Sequence, residues 1–232
     1  MNITLIGHGR LGKLLSQYLE KDFSLNILGI QKSKSDLEKL KNSQCVILCV
    51  PISEMPNILS EIKDYLQPKT IVMDTCSVKE WPIEQMKKIL PENTQILGTH
   101  PMFGPDSVKD TLFGTKLVLC PERIETSSLS ELISYFKNHG IKTICTSAPE
   151  HDRQMSSSLL LSHFIGKGLL NFGAQEQEID TKGYRRLLRI LNTVQNDSDT
   201  LFRDMFRYNK YAEETLENFL SSLKDAQKVI RE

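Results

Sequence analysis

The sequence of 232 residues has no excess of either charge, since Lys and Arg number 29 and Asp and Glu also number 29. Such a chain has no long-range field to attract nucleic acid or an anionic membrane, so any anion site must be built locally. It also lacks an apolar run near the roughly 18 residues of a membrane span, and no basic leader precedes the apolar residues 3–6. We therefore expect a cytoplasmic protein that binds neither nucleic acid nor membrane.

Metal-binding spacings are missing as well. The five cysteines form no C-x-x-C pair, and the five histidines form no H-E-x-x-H motif. Most cysteines lie in or beside apolar runs such as residues 45–50, which favours buried, reduced thiols. We expect no bound metal.

What is present is an alternation of short apolar runs with helix-like stretches, up to about residue 147. The predicted strands are residues 3–7, 25–30, 45–50, 70–74, 94–98, 116–120 and 141–145. Strands this apolar favour a parallel sheet covered on both faces, as in a doubly wound α/β domain. From Glu150 onward apolar residues recur only at helical spacing. We predict a Rossmann-type domain over residues 1–148 and an all-helical domain over residues 149–232.

A glycine-rich turn follows the first strand and opens a helix, with the sequence Gly7-His8-Gly9-Arg10-Leu11-Gly12. In this context G-x-G-x-x-G is typical of dinucleotide binding, because its glycines permit the turn, the approach of a pyrophosphate and close helix packing. A bare structural turn is the alternative. We expect residues 7–12 to contact the cofactor, together with Val50 and Pro51 after the third strand.

The second strand run is followed by Gln31, Lys32, Ser33 and Lys34, where an NAD enzyme usually carries a carboxylate for the ribose hydroxyls. A cation and hydroxyl groups suit a 2′-phosphate instead. We therefore predict that NADP is preferred to NAD, chiefly through Lys32, although a solvated basic loop would look the same in sequence.

Four ordered blocks carry a family resemblance. They are DTCSVKEWP at residues 74–82, GTHPMFGPDS at 98–107, PEHD at 149–152 and IDTKGYRRLLRIL at 179–191. Together with the glycine turn they resemble the prephenate and arogenate dehydrogenases over nearly the whole chain, and the last two blocks are similar to plant arogenate dehydrogenases. The resemblance implies a Rossmann domain, then a helical domain for substrate and for pairing two subunits. It also implies oxidative decarboxylation of a cyclohexadienyl substrate, arogenate or prephenate, to tyrosine or 4-hydroxyphenylpyruvate.

The resemblance also implies residue roles. His100 matches the catalytic histidine, Ser77 the serine that orients the substrate hydroxyl, and Lys79 the lysine of the same block, expected among the substrate contacts. His163 matches a second catalytic-site histidine, but a histidine between leucine and phenylalanine is as often a core residue. A neutral imidazole at His100 suits removal of the hydroxyl proton, since its unperturbed pKa is about 6.5.

The substrate carboxylate lacks an obvious partner, because Thr193 stands where bacterial prephenate enzymes carry an arginine. Four cations, Lys182, Arg185, Arg186 and Arg189, are candidates, or the other subunit lends the contact. A solvated basic helix face is the alternative. Asp106 could pair with the ammonium of arogenate. We expect His151 to cap the first helix of the second domain.

Three other functions fit parts of the sequence. A 4-amino-4-deoxyprephenate dehydrogenase would keep every block. A β-hydroxyacid or imine reductase shares the two-domain plan but lacks HPMFGPDS, at residues 100–107. A non-catalytic NADP-binding sensor would have no need of both Ser77 and His100.

Overall fold

The structure, a computed structural model, describes residues 1–108 and 111–231. The chain forms two compact units, Met1–His151 and Asp152–Glu232, each described here by itself. The division lies inside a helix that begins at the predicted boundary, Ala148–Met155.

Each predicted strand run forms a strand in the first unit. The strands are β1 Asn2–Ile6, β2 Ser24–Leu28, β3 Cys45–Leu48, β4 Ile71–Asp74, β5 Gln95–Pro101, β6 Lys116–Arg123 and β7 Lys142–Cys145. They form one sheet in the order β2-β1-β3-β4-β5-β6-β7. The helices of this unit are α1 Arg10–Leu19, α2 Lys34–Glu38, α3 Met55–Ile62, α4 Glu80–Ile89 and α5 Thr126–Asn138, with α6 Ala148–Met155 at its end. This is the predicted Rossmann-type fold.

The direction of the last two strands departs from the predicted parallel sheet. Strands β2, β1, β3, β4 and β5 are parallel, but β6 runs antiparallel to β5, and β7 is parallel to β6. A parallel return needs a crossover, usually a helix. The connection from β5 to β6 has no helix in its described residues, 102–108 and 111–115, so the chain turns back beside β5.

The register of the parallel strands aligns their carboxyl ends. Ile6 pairs with Leu48, Leu48 with Asp74, and Asp74 with Gly98. The segments that follow β1, β3, β4 and β5 therefore leave the sheet at one edge. Strand order reverses at β1, which has β2 on one side and β3 on the other, and ligands of open α/β sheets bind at such a point.

The described residues of the second unit form helices joined by loops and contain no strand, as predicted. A π-helical turn at Ser156–Leu160 precedes α7 Leu161–Phe172, α8 Lys182–Val194, α9 Asp199–Arg207 and α10 Ala212–Val229. Its small core consists of Leu160, Met205 and Ala212, against which Phe202 and Phe206 pack. In the described part of the chain, no helix combines the length and the apolar character that crossing a bilayer requires.

Candidate active site

The glycine turn between β1 and α1 has the shape that a dinucleotide requires. Gly7 has a φ of +98°, and a Cβ there would collide with the carbonyl oxygen of Cys49. A Cβ on Gly12 would collide with the carbonyl oxygen of Gly7, whereas Gly9 faces open space. Two glycines thus close the turn and the third leaves room for a pyrophosphate, so these residues fit the cofactor predicted for them.

The start of α1 suits the same group. Gly9 caps this helix without a side-chain hydrogen bond, and the first turn has no acidic residue. The helix N-terminus therefore presents amide hydrogens and a positive dipole end. Arg10, in this first turn, pairs with Asp106 across 2.6 Å at the surface. In this structure Asp106 thus meets a cation of the turn, and its predicted pairing with a substrate ammonium would compete with Arg10.

Lys32, the residue predicted to meet the 2′-phosphate, has partners inside the protein. Its side chain is only 1% exposed, and its Nζ lies 2.8 Å from the carboxylate of Glu61 on α3. The same Nζ donates to the carbonyl of Ile30 at 2.6 Å. Lys32 is therefore a buried, neutralised cation rather than part of an exposed loop. Lys34, at the start of α2, is exposed.

Lys79 links the ends of β4 and β5 from inside the protein. Its side chain is fully buried and forms an ion pair with Asp74, the last residue of β4. Its Nζ also donates to the carbonyl of Thr99 at 2.6 Å, next to His100. The ammonium group of Lys79 thus faces these partners inside the protein, and its contact with the substrate stays a prediction.

Ser77 lies in the loop that Lys79 anchors, three residues after β4 ends. Its Oγ is buried and has no hydrogen-bond partner among the described residues. A buried hydroxyl without a partner costs free energy unless a ligand or water satisfies it. Ser77 can therefore donate to, or accept from, a substrate hydroxyl at this edge.

His100 lies two residues beyond Gly98 on β5, beside the same loop, and its ring is buried. Its Nδ1 is 2.9 Å from Nε2 of His151. The expectation that His151 caps a helix is wrong, because the hydroxyl of Ser147 accepts from the amide of Glu150 and caps α6 instead. His151 lies within the first turns of α6 and reaches back to the sheet edge.

Burial changes the acid–base behaviour of His100. Desolvation, the largest effect, lowers the pKa of His100 well below its usual value, and electrostatic interactions with His151 and Lys79 lower it further. The imidazole of His100 is therefore neutral near pH 7 and can accept a proton.

The second unit holds the remaining predicted residues. Both ring nitrogens of His163 have partners there, since Nδ1 is 2.9 Å from the carbonyl of Leu159 and Nε2 is 3.0 Å from the carboxylate of Asp197. The four predicted cations line one open hollow on α8: Lys182, Arg185, Arg186 and Arg189. Of these, Arg185 forms an ion pair with Asp180 at 2.7 Å.

The sequence did not identify His151, Asp74 or Glu61 as partners of the site residues. A signal existed for His151, because Ser147-x-x-Glu150 has the spacing of a capping box and assigns the cap to Ser147. Asp74 is a carboxylate at the end of an apolar strand, at the ligand-binding edge of the sheet. This position in the sequence also indicates a residue of the site. No pattern in the sequence links Glu61 to Lys32.

Comparison with protein families identifies two matching segments. Residues 20–145 match the profile described as "Prephenate dehydrogenase, nucleotide-binding domain". Residues 169–232 match "TYRAAT1-like, C-terminal domain".

Two curated relatives come from Arabidopsis thaliana. "Arogenate dehydrogenase 2, chloroplastic" is 32% identical over 241 residues, which cover 94% of this chain and 66% of the relative. "Arogenate dehydrogenase 1, chloroplastic" is 30% identical over 240 residues, which cover 94% of this chain and 37% of the relative. The chain thus spans between 37% and 66% of the length of these relatives.

Among solved structures, prephenate dehydrogenase from A. aeolicus in complex with hydroxyphenyl propionate and NAD+ has a TM-score of 0.76. It is 20% identical, and the match covers 99% of this chain and 90% of that one. The likeness shows that the two chains share a fold.

Proposed function

Since the chain belongs to the prephenate/arogenate dehydrogenase family, we propose that it oxidatively decarboxylates arogenate, or prephenate, with NADP as oxidant. The products are tyrosine or 4-hydroxyphenylpyruvate, reduced cofactor and carbon dioxide. One observation carries this proposal: a buried, neutral His100 on β5 and a partnerless Ser77 hydroxyl after β4 lie on neighbouring strands, at the sheet edge that bears the dinucleotide turn.

The residues of the first unit supply proton transfer and orientation. Residues 7–12 would hold the dinucleotide, which when bound would supply the acceptor for the hydride of the ring carbon that bears the hydroxyl. Nε2 of His100 takes the hydroxyl proton, and Ser77 hydrogen-bonds the same oxygen. The resulting ring carbonyl is conjugated to the carbon that bears the carboxylate. When that carbon–carboxylate bond breaks, its electron pair enters the ring, the carbonyl oxygen becomes a phenolate, and His100 returns the proton to it.

The cations of α8, from this subunit or from the other one of a dimer, are the proposed partners of the substrate carboxylate. Lys182, Arg186 and Arg189 share their hollow with Arg185, whose charge is partly neutralised by Asp180. Guanidinium groups bind carboxylates with two parallel hydrogen bonds, so a cluster of arginines suits this substrate. The preference for arogenate is supported by the names of the two plant relatives.

The proposed preference for NADP rests on the segment that follows β2. No carboxylate is available there for the ribose, because Asp36 accepts hydrogen bonds from Ser33 and pairs with Lys39. Since Lys32 is already neutralised by Glu61, the exposed Lys34 is the cation proposed to meet the 2′-phosphate. The hydroxyls of Ser33 and Ser35, 2.9 Å apart, flank it.

The helical unit is proposed to form a two-fold homodimer. Phe202 and Phe206 pack against the core of this unit. Other apolar side chains remain exposed, among them Phe172 at 83%, Ile179 at 93% and Leu223 at 50%. A second copy would remove them from water, and two-fold pairing is the commonest symmetry. A cytoplasmic location stays a prediction, since the two plant relatives are named as chloroplastic.

The test is a set of steady-state rates with arogenate, prephenate and 4-amino-4-deoxyprephenate, each with NADP and with NAD. We expect arogenate with NADP to give the highest kcat/KM. The highest value with the amino analogue would assign the chain to that reaction instead. NADP binding without turnover of any of the three would support the sensor and contradict the enzyme.

A further inference from the structure

A second histidine contacts His100 on the ring nitrogen that the proposed proton transfer does not use. Nδ1 of His100 and Nε2 of His151 are 2.9 Å apart, and the rings meet edge to face at 68°. His100 is 7% exposed and His151 only 2%. Because both rings are buried, solvent does not compete for this hydrogen bond.

We infer that His151 is a positioning residue that fixes the tautomer of His100, a role that rests on the proposed function of His100 as the base. A hydrogen bond between two neutral imidazoles needs one N–H and one lone pair. Two arrangements are therefore possible. Either Nδ1–H of His100 donates to His151, or Nε2–H of His151 donates to His100.

Only the first arrangement leaves a base for the substrate. When Nδ1 of His100 holds the hydrogen, Nε2 carries the lone pair and can accept the hydroxyl proton. After that transfer, the imidazolium of His100 still donates through Nδ1–H to a neutral His151. In the reverse arrangement Nε2 of His100 already holds a hydrogen, so it can only donate to the substrate oxygen.

The backbone around His151 is built to hold this ring in place. Ser147 caps α6 through its hydroxyl, and the amide of His151 donates to the carbonyl of Ser147 at 2.9 Å. His100 is held by β5, where it pairs with Val118 of β6. Two anchored backbones therefore bring the rings together, as in other sites where a partner orients a catalytic histidine through its second nitrogen.

Two substitutions separate positioning from space filling. His151→Phe keeps an aromatic ring but removes the acceptor, whereas the side-chain oxygen of His151→Gln can accept from Nδ1–H of His100. We expect His151→Phe to lower kcat about 10- to 100-fold, the usual effect of losing an orienting partner. Substrate KM and the Kd for NADP should change less than about threefold, because neither ligand contacts His151 in this account. His151→Gln should recover most of kcat.

His139→Phe is the matched control. This histidine also lies in the first unit, but it is half exposed and pairs with Asp22. The same substitution there should leave kcat and KM unchanged. A kcat of His151→Phe within about threefold of the parent value would overturn the inference.

A spectroscopic measurement tests the same point without turnover. Nitrogen-15 NMR of the imidazoles, with the His100 signals assigned by their loss in His100→Asn, should show the Nδ1–H tautomer in the parent protein. His151→Phe should lose the preference of His100 for the Nδ1–H tautomer, and His151→Gln should keep it. If His151→Phe does not fold, loss of the Nδ1–H tautomer in His151→Gln would contradict the inference and its retention would support it. An Nε2–H tautomer of His100 in the parent would overturn the inference.

Absence of turnover of every cyclohexadienyl substrate by the parent would overturn the proposed function, while the spectra would still decide the role of His151.

Discussion

The chemistry of His100 depends on how burial changes its affinity for a proton. Desolvation, then electrostatic interactions with His151 on α6 and Lys79 beside Asp74, lower its pKa well below about 6.5. A base must be neutral to act, so activity is present above this lowered pKa and lost as pH falls through it. We predict that kcat/KM stays level down to pH 6.5 and declines only below it. A decline with an apparent pKa at or above 6.5 would contradict this environment.

A second prediction at this scale concerns Lys34. A charge-assisted contact with a 2′-phosphate contributes about 1.5–3 kcal/mol, or roughly 10- to 150-fold in affinity. Lys34→Ala should therefore raise the Kd for NADP at least about tenfold and leave the Kd for NAD unchanged. Lys32→Ala is the matched control, since Glu61 already neutralises that cation. A larger loss of NADP affinity in Lys32→Ala would restore Lys32 as the main contact.

Residues that act through local motifs could be predicted, and those that act through distant contacts could not. Ser77 and His100 lie in blocks whose order and spacing are visible in the sequence. The contact between His100 and His151 joins positions 51 residues apart, and the pairing of Lys32 with Glu61 depends on where α3 packs. Neither is encoded in a pattern of neighbouring residues.

At the scale of elements, the buried pair of Lys79 and Asp74 fixes the loop after β4 against β5. Lys79→Met would leave the Asp74 carboxylate buried without its cation. We predict a loss of about 3 kcal/mol in the free energy of unfolding, measured with urea. Lys87→Met on α4 is the control, because Lys87 pairs with Glu122 at the surface and should cost less than about 1 kcal/mol. Equal losses in the two variants would contradict a structural role for the buried pair.

The strands could be predicted as elements, but their directions could not. Each apolar run forms a strand. Strands of a sheet that is covered on both faces are apolar on both sides, so they are visible in the sequence as continuous apolar runs. The direction of β6 depends on a connection whose described residues, 102–108 and 111–115, form no helix. In sequence, residues 102–115 contain no periodic pattern that distinguishes a long loop from a crossover. The apolar runs therefore predict where the strands lie in the sequence but not the direction of each strand in the sheet.

At the scale of the whole molecule, the exposed apolar residues of the helical unit predict self-association. We expect light scattering to give about twice the chain mass of 26.5 kDa at micromolar concentration. Phe172→Glu combined with Ile179→Glu should shift the mass toward one chain, since both residues are exposed and a buried charge would oppose pairing. A mass near one chain for the parent, over a wide range of concentration, would contradict the dimer.

The most direct test of the proposed reaction is its stoichiometry in the parent and in His100→Asn. With arogenate and NADP, the parent should form tyrosine, carbon dioxide and reduced cofactor in equal amounts. His100→Asn should bind NADP with an unchanged Kd but lose about 10²–10⁴-fold in kcat, the usual contribution of a positioned general base. Reduced cofactor formed without carbon dioxide, or a variant with near-parental kcat, would contradict oxidative decarboxylation with His100 as its base.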